Sequence, residues 1–356
     1  MSKENRYGGI VDVEPSGETF FKLGKCEMLL QTIRQLPLLP VERKDLYKAS
    51  AVSAVRSMLA IDGIKVSADM VERIWEHIPP IDPNAEGFSQ VCAALRSLSL
   101  LNEVVPRSAA VLELPILRGM NKSLGADGSF RDFETGRLSD GLPVGKQSQF
   151  ETLMKTFFRA HVPGTLFAAL ATHAFLCLIS PFKSISGRTA QLAEFYMAAA
   201  AGMPGICLHV LPSYYLKTKA QYDREVRHAR TSLSLASFID YSAEGLLSGL
   251  WAQYDAVCKA LLEKTWQRHA HETLRQAHLS KRTFERLDDF LTILRVGQEY
   301  NLGDTIFAIV YGRGLEGPFE SKRTIYRDLS TLISLGLLKR SSRGAYEPNV
   351  DELIQS

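Results

Sequence analysis

The chain has 356 residues, 46% hydrophobic and 23% charged, with a formal net charge of +3. That length and balance fit an ordinary soluble globular protein of two domains. The small charge excludes a chain-wide nucleic-acid footprint, so any basic patch has to be local.

The opening MSKENRYGGIVDV has no apolar core of a secretory leader, and residues 1–40 are read as an extension packing on a bundle. Asp45 to Ile61 spaces its apolar residues by three and four, as a one-sided helix does. A turn, an N-cap at Ser67 and a helix stopped by Pro79 and Pro80 follow. Helices are expected at Ser89–Leu101 and Leu112–Leu124. A glycine-rich stretch comes next, whose FRDFETG core could form a hairpin. Phe150–Ala160, Gly164–Leu178, Gly187–Ala201, Tyr222–Ala229 and Leu235–Leu262 complete the bundle, giving an all-α body over 41–263. No apolar run is long enough to span a bilayer. The five cysteines are spread singly, mostly in apolar runs, so reduced thiols in a cytoplasmic protein are expected.

Lys264 to Arg286 is polar and rich in His and Arg, and 264–283 reads as a connector helix. Residues 284–356 form the last domain, with two short helices, then a longer one ended by Gly336, then two short strands around Arg343–Gly344. Ile325, Leu329, Leu332 and Ile333 make one helix face, while Lys322, Arg323, Tyr326 and Arg327 crowd the helix start, largely off that face. Ser321 is a natural N-cap, so the first turn offers free N–H groups and cations, both suited to phosphates. From Ser321 to Arg343 there are six Lys/Arg and one acid, Asp328, a net of +5. This tail resembles the winged helix-turn-helix of bacterial regulators, which implies a DNA partner, with Arg343 on the wing. A protein-interaction module with a solvated basic face is the plainer reading.

The stretch Ile179 to Gln191, ISPFKSISGRTAQ, is polar and lies between two apolar segments. Either Ser180 and Pro181 end one core helix and Ser186 caps the next, or the start of the second helix, with Gly187 and Arg188, is an anion site.

The loop resembles the active loop of the Fic (Fido) family, H-P-F-x-[DE]-G-N-G-R-x-x-R. Pro181, Phe182, Gly187 and Arg188 match it. Ser180 stands for the histidine, Ser184 for the acid, Ile185 for the first glycine, Ser186 for the asparagine and Gln191 for the second arginine. ATHAFLCLI, with His173, resembles the family's preceding helix. Gly128, Phe130 and Arg131 resemble its flap, SMLAIDGI with Asp62 and Gly63 its inhibitory helix, and Tyr222 the residue lining the adenine side. The resemblance implies a Fic-like fold and a site for ATP or another nucleotide formed by Phe182, Lys183, Ser186, Gly187, Arg188 and Tyr222.

Fic enzymes move AMP onto protein hydroxyls, which needs a base and a metal. A serine at 180 has no useful pKa for the base, and one at 184 is a poor Mg²⁺ anchor, so no catalytic residue and no metal site are assigned. The inhibitory contact, which in the family joins a glutamate to the second arginine, is expected to be lost, because Asp62 would face Gln191. No histidine has a spacing that makes Ser180 a nucleophile. The expected protein is a homo-oligomeric regulator that senses a nucleotide or anion and binds DNA. A Fic transferase with altered chemistry is the alternative, and a scaffold without either ligand the third.

Overall fold

A computed structural model describes residues 13–79, 82–104, 112–131, 147–161, 164–301, 322–351 and 353. It divides into a unit over Met1–Tyr254 and a unit over Asp255–Ser356, each with its own core.

In the first unit α1 (Gly17–Gln35) begins at Ser16, whose side chain accepts from the Thr19 amide. The sequence reading placed an extension here without a helix. Leu23, Cys26, Leu30 and Ile33 recur at helical spacing and are buried, so α1 is a full member of the core. Its Thr19 hydroxyl donates to Asp240 at 2.8 Å. α2 (Pro40–Ile61) and α3 (Ala68–Glu76) follow, the latter capped by Ser67 as expected. α2 stops by a Schellman arrangement: Ile64 N–H donates to Leu59 O, and Gly63 N–H to Ala60 O. Gly63 has φ +86°, which an L side chain resists.

α4 (Phe88–Val104), α5 (Leu114–Ser123) and α6 (Gln147–Ala160) lead to the central pair, α7 (Leu166–Ile179) and α8 (Ser186–Ala200). α7 is apolar on every side, and all its residues except Phe167 are buried, which is why it sits mid-core. Small residues on both helices (Ala168, Ala171, Ala174; Ala190, Ala193) let α7 and α8 pack closely. A 3₁₀ turn (Gly205–Cys207), α9 (Val210–Lys217) and α10 (Lys219–Ser232) complete the body. The expected Tyr222–Ala229 helix is thus longer at both ends. The hairpin expected in FRDFETG lies beyond Arg131, outside the described residues.

α11 (Ala236–Gln276) is one unbroken helix of 41 residues, and this overturns the connector reading of 264–283. Trp266, Ala270 and Leu274 lie at i, i+4 and i+8 and are buried in the second core. Their stripe is a core face hidden among polar neighbours. α12 (Lys281–Ile293), capped by Ser280, and α13 (Lys322–Ser334) pack around the same core. β1 (Leu338–Arg340) and β2 (Tyr346–Pro348) pair antiparallel, with Arg340 opposite Tyr346. Tyr300 extends the ladder through reciprocal bonds with Tyr346. Asp328, 1% exposed, takes two bonds from Arg286 (2.7 and 3.0 Å) and ties α12 to α13. Among the described residues no helix is long and apolar enough to cross a membrane.

Candidate functional site

The turn between α7 and α8 is held from three sides. Arg131 N–H donates to Pro181 O (2.9 Å) and Lys183 N–H to Ser129 O (3.1 Å), so the segment named as a flap pairs with the loop like a short strand. Phe130 and Phe182 pack with ring centroids 5.1 Å apart, both buried. Asn121 of α5 accepts from Gly128 N–H and donates to Ser184 O and Thr189 Oγ1, fixing flap and loop together. The loop fold leaves Ile185 at φ 58°, a region where glycine is at home and a β-branched residue is strained.

Ser186 does not cap α8 as expected. It is the helix's first residue, and its hydroxyl accepts from Phe182 N–H and donates to Phe182 O. The expectation that Ser180 ends α7 holds, since it is the C-cap at φ 41°.

Asp62, at the end of α2, meets the start of α8. Its Oδ2 accepts from Arg188 Nε at 2.7 Å, and a Cβ on Gly187 would lie 3.7 Å from Oδ1. A carboxylate at a helix C-terminus is disfavoured by the dipole, whereas the N-terminus of α8 and a guanidinium favour it. The expected loss of a charged partner for Asp62 is therefore wrong: it holds Arg188 rather than residue 191. Gln191 is fully buried, and among the described residues neither its Oε1 nor its Nε2 has a hydrogen-bond partner.

A cavity of about 500 Å³ opens beside this pair, bordered by Asp62, Ser180, Gly187, Gln191, Tyr222 and α10. Arg230 of α10 donates twice to Cys177 O (3.1 and 3.0 Å) and once to Ser180 Oγ (2.8 Å). The Ser180 oxygen thus faces a cation, not a base. The Tyr222 hydroxyl lies 3.2 Å from His173 Nε2. On its other side His173 Nδ1 sits 2.9 Å from Glu194, close but poorly aligned for a hydrogen bond. Burial is the largest single effect and works against a charged imidazole, yet Glu194 and Cys177 together outweigh it and raise His173 to about 10. Glu194 also accepts from the Tyr215 hydroxyl, whose oxygen lies 3.1 Å from Ser242 Oγ. These groups are all buried, so His173 is structural and serves no exposed nucleophile.

The residues around the turn do not fit Mg²⁺. Ser184 offers no carboxylate, and the cavity's two acids are spent on cations, Asp62 on Arg188 and Asp223 on Lys219.

The structure brings Phe182, Lys183, Ser186, Gly187, Arg188, Tyr222 and Asp62 around one turn and cavity, with Gly128, Phe130 and Arg131 along the loop's edge. It buries Phe182 completely, so that side chain packs rather than binds. Lys219, Arg227 and Arg230 were missed. They share a helix face with Tyr222 and Val226, a spacing visible in the sequence once Tyr222 is chosen. In the second unit Arg323, Tyr326 (52%) and Arg327 (side chain 67%) are exposed at the start of α13, and Arg343 is exposed at the hairpin tip. Ser321 and the Lys322 side chain lie outside the described residues.

These features define an all-α protein whose central helix–turn–helix borders a charged cavity. The fold is that of Fic-family proteins. A crystal structure of a Fic family protein from Desulfovibrio desulfuricans G20 superposes with a TM-score of 0.53 at 12% identity, over 94% of this chain and 98% of that one. Fic-1 from C. elegans superposes with a TM-score of 0.53 at 19% identity, over 68% of this chain and 74% of that one. No protein-family model and no curated protein matches the sequence.

Proposed function

We propose that the chain is a DNA-binding regulator built on a Fic fold, with no AMP-transfer activity and with a phosphate or nucleotide site surviving in its cavity. The observation that carries the reading is the exposed cationic start of α13, Arg323, Tyr326 and Arg327, beside a β-hairpin with Arg343 at its tip. In a winged helix such a helix start enters the major groove and the hairpin follows the backbone or minor groove. Asp328 offsets little of this charge, because it is buried against Arg286 at 2.7 Å and meets Arg327 only at 4.0 Å.

The absence of transfer follows from the site's chemistry. The Ser180 hydroxyl accepts a bond from Arg230 and cannot act as a base, a role commonly worth ~10² to 10⁴ in rate. The cavity itself favours a second reading, a Fic-type transferase with altered chemistry, whose base would have to be Asp62 or Asp223. Both are ion-paired, Asp62 to Arg188 and Asp223 to Lys219, so neither stands free to meet a substrate hydroxyl. Incubation with labelled ATP, Mg²⁺ or Mn²⁺ and lysate separates the readings: label on any protein supports the transferase. Salt-dependent DNA binding by the full chain supports the regulator, and its failure at low salt leaves the tail as a protein-interaction module.

A further inference from the structure

We propose that the cavity holds a phosphomonoester dianion on α10, through Arg227 and Arg230, rather than at the start of α8. This rests on reading the cavity as a surviving phosphate site, and assigns that site to residues outside the loop.

The charges decide the place. Three cations border the cavity, Lys219, Arg227 and Arg230, against two carboxylates, Asp62 and Asp223, and Arg188 stands behind Asp62. Arg188 is bound to Asp62 and Lys219 to Asp223, so these four charges cancel in pairs. The other two cations have only neutral acceptors among the described residues. Arg230 bonds Cys177 O and Ser180 Oγ, and Arg227 Nε bonds Asp223 O at 3.2 Å. An anion reaching Arg188 has to displace Asp62, whereas one reaching Arg227 and Arg230 displaces no charge.

Gln191 is the independent sign of a ligand. It borders the same cavity with both amide atoms unpaired among the described residues, and buried polar groups are normally bonded. Ser180 adds a hydroxyl whose oxygen is already held by Arg230.

The count sets the class. Two uncompensated cations match a phosphomonoester, which carries about −1.5 to −2 at pH 7. A triphosphate brings more negative charge than they neutralise, into a site that does not fit Mg²⁺. About 500 Å³ accepts a ligand the size of a nucleoside monophosphate or a sugar phosphate.

The test is calorimetric titration of the full-length protein with AMP, ribose 5-phosphate and ATP at low salt. AMP is expected to bind at least as tightly as ATP. Binding of ribose 5-phosphate marks a sugar-phosphate site, and its absence beside AMP binding a nucleotide site. Arg227→Ala, at an exposed position, leaves the fold intact and is expected to weaken binding roughly tenfold, as is Arg230→Lys, which keeps the charge but loses the fork. The double variant Asp62→Asn, Arg188→Gln removes the neighbouring pair without changing net charge, and is expected to shift affinity less than about threefold. Loss of binding in that double variant, with Arg227→Ala and Arg230→Lys unaffected, would overturn the α10 site while keeping a phosphate site at α8. ATP binding more than tenfold tighter than AMP would overturn the monoester class. No binding of any probe would overturn both this site and the phosphate-site reading.

Discussion

Replacing Gln191 by methionine should make the empty protein more stable. Gln191 is fully buried on the cavity wall, between Ala190 and Leu192, and among the described residues neither end of its amide finds a partner. An unpaired buried amide costs about 1–3 kcal/mol by mutational measure, and methionine is unbranched and of similar length, so little packing is lost. The gain is therefore about 1–3 kcal/mol. For a unit of this size that corresponds to a rise of roughly 3–9 °C in melting temperature, at about 3 °C per kcal/mol. Calorimetric melting of both proteins without ligand reads it directly. A fall in melting temperature would refute the reasoning, since it would mean that the amide is satisfied by water or a neighbour and contributes to the fold. The same variant should weaken any cavity ligand that bonds the amide, so stability and affinity should move in opposite directions. A purely structural glutamine would not give that pairing.

Removing one partner of the buried Arg286–Asp328 pair, as in Asp328→Ala, should destabilise the second unit by about 3–5 kcal/mol, read as an early transition in urea. Asp62→Gly should leave AMP transfer from labelled ATP at background, because freeing Arg188 supplies no base in place of Ser180. His173 is raised in the folded state to about 10 against an ordinary value near 6.5, so its pairing with Glu194 stabilises fully below about pH 6.5. That contribution should fade as pH rises towards 10, and the fall in urea midpoint between pH 6 and pH 9 should be smaller in His173→Gln.

Much of the fold was legible because local signals agreed. Ser67 before an amphipathic run, and prolines after it, set α3 to within a turn. The all-apolar run around His173 gave the buried α7, and the polar tip at Arg343–Gly344 gave the hairpin. α1 was missed because exposed Phe20, Phe21 and Met28 blur its face, although Leu23, Cys26, Leu30 and Ile33 mark the buried side. The second core's share of α11 was hidden because three apolar residues, Trp266, Ala270 and Leu274, sit among charged and polar neighbours. Overall composition masks so thin a stripe. At the site, motif alignment placed Asp62, Ser180 and Arg188 near one another but not their partners. Which cation meets Asp62 depends on where α2 ends against α8, and that is set by the Gly63 stop and tertiary packing. Arg230 reaches Ser180 from 50 residues further along the chain, which no local pattern announces.

The proposed reading of DNA by the second unit is tested by a salt titration of DNA binding by the full chain and an Arg343→Ala variant. Any shortened fragment should begin near Asp255, so that Trp266, Ala270 and Leu274 stay in the core they fill. Binding should weaken steeply and linearly on a log–log plot as salt rises, and Arg343→Ala should lower that slope by roughly one unit on every sequence tested. Arg327→Ala should cost about 1–3 kcal/mol and relax preference at one base pair. No binding at low salt, where even non-specific phosphate contacts hold, would rule out a DNA-reading second unit.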